Sequence, residues 1–250
     1  MAQRASNARW NGNYIFGSEV LLRKPEHGAW IAATVAAWAA TEHHLGRVFG
    51  SLIGAKQPVT MSMYAAVRSS EVQRDIIKTA CVELLPKRYA IIAAACLDQV
   101  YKFSPERHRF AHWIWGMSAD PDLDAVLLVE PRHFWMLHAA KTRYRRKNPL
   151  SAGLGPIKPS RLQQPLLDHE NIWVHTLKDL KDAHERMDRA FWIAEALNQL
   201  VSASSAIRRQ AIYRMLSAQP DLQTALKAVK KNWPKSRPAT ASPPRIARRK

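Results

Sequence analysis

Cysteine is scarce in this chain: Cys81 and Cys96 are the only two among 250 residues. They stand in neither a disulfide framework nor a metal-ligand spacing. That excludes a disulfide-stapled scaffold and suits a reducing, cytoplasmic compartment. Long apolar runs are lacking too, and nothing approaches the roughly eighteen residues of a membrane-spanning helix. The best candidate, Ala29 to Ala40, ends at Thr41-Glu42-His43-His44. It lies behind Arg23, Lys24 and Glu26, too far in for a typical signal peptide. We read it as part of a buried helix, with a secretion signal as the alternative. No glycine-rich phosphate loop, nucleophile elbow or dinucleotide fingerprint is present, which removes the enzyme classes that need them.

Acid is missing from two segments. Between Pro131 and Leu167 there are eight bases and no carboxylate, and after Asp221 there are nine more. These seventeen bases nearly account for the net charge of +18, so the rest of the chain is close to neutral. A near-neutral body with two basic arms is an electrostatic arrangement for a polyanion, with nucleic acid first. The densest cluster, Lys141, Arg143, Arg145, Arg146 and Lys147, is the expected nucleic-acid contact. The alternative is that basic tails serve solubility alone. Hydrophobic residues make up 47% of the chain, enough for a sizeable core.

The patterning is mainly helical. Residues 1–28 read as irregular. A long helix follows from about Ala29 to Ile53, with the stripe Ile31, Val35, Trp38, Glu42, Leu45, Phe49, Leu52 at alternating four- and three-residue steps. Gly54 and Pro58 close it. A second helical region spans Met61 to Leu85, and a third Lys87 to Phe103. Ser104-Pro105-Glu106 carries a helix-start signal, with Ser104 as cap, for a short helix ending at Gly116. Ala125 to Val129, His133 to Leu137 and Ile172 to His175 read as short strands around a basic linker, residues 139–168. Thr176 with Asp179 predicts a capping arrangement for a helix over 177–203. The predicted organisation is a helical domain over 29–203, interrupted by a strand and linker insertion at about 122–175. An accessory helical segment, 204–232, and a disordered basic tail, 233–250, complete it.

One cluster carries chemistry: Arg107-His108-Arg109-Phe110-Ala111-His112. Histidine can take a proton from a ribose 2′-hydroxyl, and arginine can stabilise charge on phosphate oxygens. RNA cleavage by that route needs no metal or cofactor, because the substrate supplies the nucleophile. Arg107 and His112 are five residues apart, about 140° around one helix. Two copies meeting at a dimer axis would bring such residues together. The other reading is a helix start with surface residues. A looser match, Arg132-His133 with His138, falls in a predicted strand. Glu42 interrupts an apolar stripe, and a buried carboxylate there needs a partner; solvent or a structural arginine such as Arg88 can satisfy it. His43-His44, or His108 with His112, could begin a zinc site, although no further ligand accompanies them. His184 reads as a core histidine.

Arginine, a polar residue, three more residues and histidine, on a short helix before Trp115-Gly116, resemble the HEPN superfamily. That resemblance covers about residues 29–203. It implies a helical bundle that dimerises, and in many members a metal-independent ribonuclease of toxin, defence or RNA-processing systems. Arg107 matches the motif arginine, His108 the polar residue after it and His112 the motif histidine. Glu42 is then the residue that orients Arg107. The implied partners are RNA, a second copy and an antitoxin or other protein, with no membrane. The competing expectation is a noncatalytic nucleic-acid-binding adaptor working through its basic arms.

Overall fold

The computed structural model describes residues 2–7, 14–17, 19–118, 124–147 and 169–233, with Tyr144, Arg145 and Lys147 described by their backbone alone. The fold is mostly helical, with a small antiparallel sheet. Two long helices, α2 (Pro25–Ile53) and α8 (Leu177–Ser202), share the most extensive contact in the molecule. Pro25 opens α2 in the first turn, where a missing N–H costs nothing, and Gly54 closes it at φ +67°. Thr176 and Asp179 cap α8 reciprocally: the Thr176 hydroxyl accepts from the Asp179 amide, and the Asp179 carboxylate accepts from Thr176.

Ile31, Trp38 and Leu45 of the predicted stripe are buried, but the positions between and after them are taken by Thr34, Thr41 and Val48 in place of Val35, Glu42 and Phe49. Val35 and Glu42 are only half-buried. The two threonines satisfy their hydroxyls within the helix, donating to the carbonyls of Trp30 and Ala37. The seam mixes large residues with these threonines and with Ala183, Ala190 and Ala194 of α8, and Glu42 stands at its edge.

Around this pair pack α3 (Gln57–Ala66), α4 (Ser70–Leu84), α5 (Lys87–Tyr101), α9 (Ala206–Ser217) and α10 (Pro220–Asn232). The α5 helix is the most deeply buried of these, and Cys81 and Cys96 lie as free thiols in the same core. Burial pushes the Cys81 thiol up to about 12 and Cys96 in the same direction, so both remain apolar filler. Arg189 pins α10 by donating to both Asp221 oxygens at 2.7 and 2.8 Å.

The sheet joins the N-terminal segment to strands from the middle of the chain. Its strands are β1 (Gln3–Arg4), β2 (Tyr14–Phe16), β3 (Ile114–Ser118), β4 (Ala125–Val129) and β5 (Ile172–Thr176), in the order β1-β5-β4-β3-β2. Every residue of β4 is buried, as its unbroken apolar run requires. Ala125, Leu127 and Val129 pack with Leu137 and Phe134 of α7 (Pro131–Lys147). Val126 and Leu128 pack on the other face with Ile31, Leu180 and α6 (Ser104–His112) through Phe110.

Several expectations fail for identifiable reasons. His133 to Leu137 is helix, not strand: Pro131 starts α7, and Phe134 and Leu137, three residues apart, pack on the sheet while Trp135 and Met136 are exposed. Residues 139–147 of the predicted linker continue that helix; 148–168 and the predicted tail, from 234 onward, lie outside the described residues. The N-terminal segment is not irregular, since it contributes β1, β2, α1 (Val20–Arg23) and the first turn of α2. Val67, Arg68 and Ser69 split the second helical region in two. Phe103, not Ser104, precedes the first turn of α6 and offers no side-chain cap. The helix ends at His112, so Trp115 and Gly116 belong to β3, where a Cβ on Gly116 would collide with the Phe16 ring.

Two tests follow from this packing. A Cβ at Gly50 would stand 2.8 Å from Oγ1 of buried Thr60, which sets how closely α3 approaches α2. Gly50→Ala should destabilise by about 1–3 kcal/mol despite alanine's better helix propensity. Denaturant unfolding should show that cost shrinking in a Thr60→Ala background; an unchanged cost would remove the steric explanation. Second, His175 is buried with both ring nitrogens lacking a hydrogen-bond partner. Burial pushes its pKa from 6.5 down to about 4; Asp179 opposes this, and the charges of Arg109 and Arg186 assist it. The unfolded chain therefore takes the proton first. Stability is full above pH 6.5 and is lost as pH falls towards 4, by about 3 kcal/mol. His175→Phe should flatten this stretch of the stability profile, whereas parallel wild-type and variant curves would contradict it.

Candidate functional site

The short α6 helix is held from two sides. Glu106 accepts two hydrogen bonds from Arg186 of α8, at 2.7 and 3.1 Å. One turn later Phe110 is buried against Trp115 and His175, and its carbonyl accepts from the Trp115 indole at 3.3 Å. Anchored along that edge, α6 turns its polar residues towards a cavity of about 1070 Å³. The opposite walls are the middle of α2, the α3–α4 turn and the β1–β5 edge of the sheet. Gln73 fixes the turn by donating to the carbonyls of Tyr64 and Val67.

The lining is strongly cationic. Arg4, Arg68, Arg107 and Arg109 face one carboxylate, Glu42, with His43, His108 and His112 alongside. Glu42 and Arg107 lie 3.8 Å apart, so they form an ion pair without a hydrogen bond. The Arg107 Nε is buried and unpartnered, which leaves the guanidinium with donors to offer. Arg88 instead donates to the Tyr89 hydroxyl, which removes it as the expected alternative partner of Glu42. Glu42 itself is half-buried rather than enclosed.

His108 and His112, one turn apart, are both exposed, with ring centroids 4.8 Å apart. Tyr64 adds a hydroxyl to the wall and shares a 3.0 Å hydrogen bond with Tyr101. Burial pushes both phenols up, Tyr101 to about 12, so each remains a neutral hydroxyl.

All four residues expected to carry chemistry, Glu42, Arg107, His108 and His112, thus line one cavity of one chain. Arg107 and His112, about 140° apart around α6, both border it. Of the predicted basic cluster, Lys141, Arg143 and Arg146 are not brought to it. They lie on α7, across the sheet from the face that carries Phe110 and Trp173. Arg143 and Arg146 are exposed, and Lys141 lies over the Tyr14 ring at 5.9 Å.

Sequence reasoning missed Arg4, Trp173 and Tyr64. Only strand pairing and tertiary packing bring them here, and no local pattern marks them. His43 lines the cavity while His44 packs on Phe191. His184 lies against Trp30 and 3.4 Å from Asp188. Among the described residues no three His, Cys, Asp or Glu side chains group as a metal site, and no helix is long and apolar enough to cross a membrane. Comparison with models of protein families, with curated proteins and with solved structures finds no match.

Because the Glu106–Arg186 clamp sets the pose of α6, Arg186→Met should cost about 1 kcal/mol of stability, since the pair is partly exposed. Hydrogen exchange should accelerate at α6 amides more than at α5 amides. Uniform acceleration, or none, would show that the clamp does not hold this helix.

Proposed function

We propose that the α6 cavity binds an RNA phosphodiester and cleaves it without a metal, as in a HEPN-like ribonuclease. The observation that carries this reading is the convergence of Arg107, His108 and His112 in one cavity whose lone carboxylate already neighbours Arg107. An excess of guanidinium groups selects an anion, and planar donors suit phosphate oxygens. His112 takes the proton from the 2′-hydroxyl as its oxygen attacks phosphorus. Arg107 stabilises the negative charge gathering on the non-bridging oxygens. As the bond from phosphorus to the 5′-oxygen breaks, His108 gives that oxygen a proton. The products are a 2′,3′-cyclic phosphate and a free 5′-hydroxyl. Glu42 keeps Arg107 aimed into the cavity, acting through it rather than on the substrate. The dimer belongs to this proposal, with each chain contributing a complete cavity, and α7 supplies further contacts to the RNA strand. The substrate RNA and any antitoxin would belong to a toxin, defence or RNA-processing setting.

Cleavage of a short RNA should survive EDTA and leave cyclic-phosphate ends, while a strand with 2′-deoxyribose at the scissile position should resist. His112→Ala should lower the rate by roughly two to four powers of ten and Arg107→Ala by about two to three. Glu42→Gln should cost less. Metal-dependent cleavage, or cutting of the deoxy strand, would contradict the mechanism. Binding without cleavage would leave a noncatalytic RNA-binding protein.

A further inference from the structure

At the sheet edge of the cavity, two guanidinium groups stack on one indole. The Arg4 Cζ lies 4.1 Å from the Trp173 ring centroid and the Arg109 Cζ 4.9 Å from it. All three side chains line the cavity. The arrangement is built from parts distant in sequence. The two-residue strand β1 pairs with β5 so that Arg4 lies directly across from Trp173. Arg4 then donates from Nη1 to the Glu170 carbonyl at 2.6 Å. Arg109 reaches the same ring from α6; among the described residues it makes no ion pair, and neither its buried Nε nor the Trp173 Nε1 has a hydrogen-bond partner.

Two like charges held within about 9 Å of each other repel. Packing over an aromatic ring offsets part of that repulsion and leaves donors on each guanidinium beyond the one Arg4 gives to Glu170. A phosphate bound beside either guanidinium would be attracted by both charges. The Arg107, His108 and His112 group does not need this pair for its chemistry, yet shares the cavity with it.

We propose that Arg4, Arg109 and Trp173 form a second phosphate subsite, which takes the phosphate next along the strand from the one at Arg107. The inference rests on the RNA reading of the cavity and names how the strand is gripped there. It makes the cavity select a strand bearing at least two phosphates over a single phosphodiester. Arg4 and Arg109 are binding residues in this scheme, and Trp173 is the platform that positions them.

The test uses uncleavable deoxy dinucleotides, so binding is read apart from cleavage. Calorimetry would compare deoxyuridylyl-deoxyadenosine with the same molecule carrying a 5′- or a 3′-terminal phosphate. One of the two phosphorylated forms should bind the wild-type protein about tenfold more tightly, the size of one additional charge-assisted contact. Arg4→Gln and Arg109→Gln should each erase that gain, so that the phosphorylated and unphosphorylated dinucleotides bind the variant with about equal affinity. Arg107→Ala should weaken all three ligands. Thermal melts of the glutamine variants guard against misfolding, and Trp173→Phe, which keeps a ring, should retain part of the gain. A tenfold gain that persists in both glutamine variants, or no gain in the wild type, would overturn the subsite. A protein that shows the gain but never cuts RNA would keep the subsite and lose the ribonuclease reading. Failure to bind any of the three ligands would sink both.

Discussion

Trp38 and Leu45 of α2 pack with Met187, Ala190 and Ala194 of α8 in one continuous core, and Thr34 and Thr41 fill the positions between. Threonine is tolerated there because its hydroxyl bonds back to its own helix. Such a seam has no room for a carboxylate. Glu42 is displaced to its edge, and that edge is the wall of the cavity. The same seam fixes Arg186 of α8 and so the Glu106 contact that holds α6 in place. The cavity is therefore a consequence of how two long helices close on one another.

Much of this was legible in the chain. The long helices, the reciprocal cap at Thr176, the stop at Gly54 and the buried strand Ala125–Val129 follow from periodicity and end signals that act locally. The α7 helix was not legible, because Phe134, Trp135 and Leu137 look like strand until Pro131 is recognised as a helix start. The burial of Thr34 and Thr41 in place of Val35 and Glu42 was hidden as well, because threonine is counted as polar. At the site, Arg107, His108, His112 and Glu42 could be named from spacing and from one misplaced carboxylate. Arg4 and Trp173 could not, since they meet only through strand pairing across most of the chain length.

Positive charge is divided between two places that the fold keeps apart. The cavity holds arginines partly withdrawn from water, where a guanidinium can form directed bonds with an anion. On α7, Arg143 and Arg146 stand exposed, where charge acts at longer range and is screened by salt. In the proposed function the first set does chemistry on one phosphate and the second gathers the strand. A whole-chain charge of +18 does not separate these roles; only the sheet between them does.

The central claim is that one chain brings Arg107 and His112 to the same phosphodiester. The most direct measurement is a crystal structure with a deoxy dinucleotide bound. Each chain's cavity should hold one ligand, its bridging phosphate contacted by the Arg107 guanidinium with the His112 imidazole beside the 2′ carbon. A dinucleotide seated on α7 with the cavity empty, or a phosphate held by Arg107 of one copy and His112 of another, would contradict it.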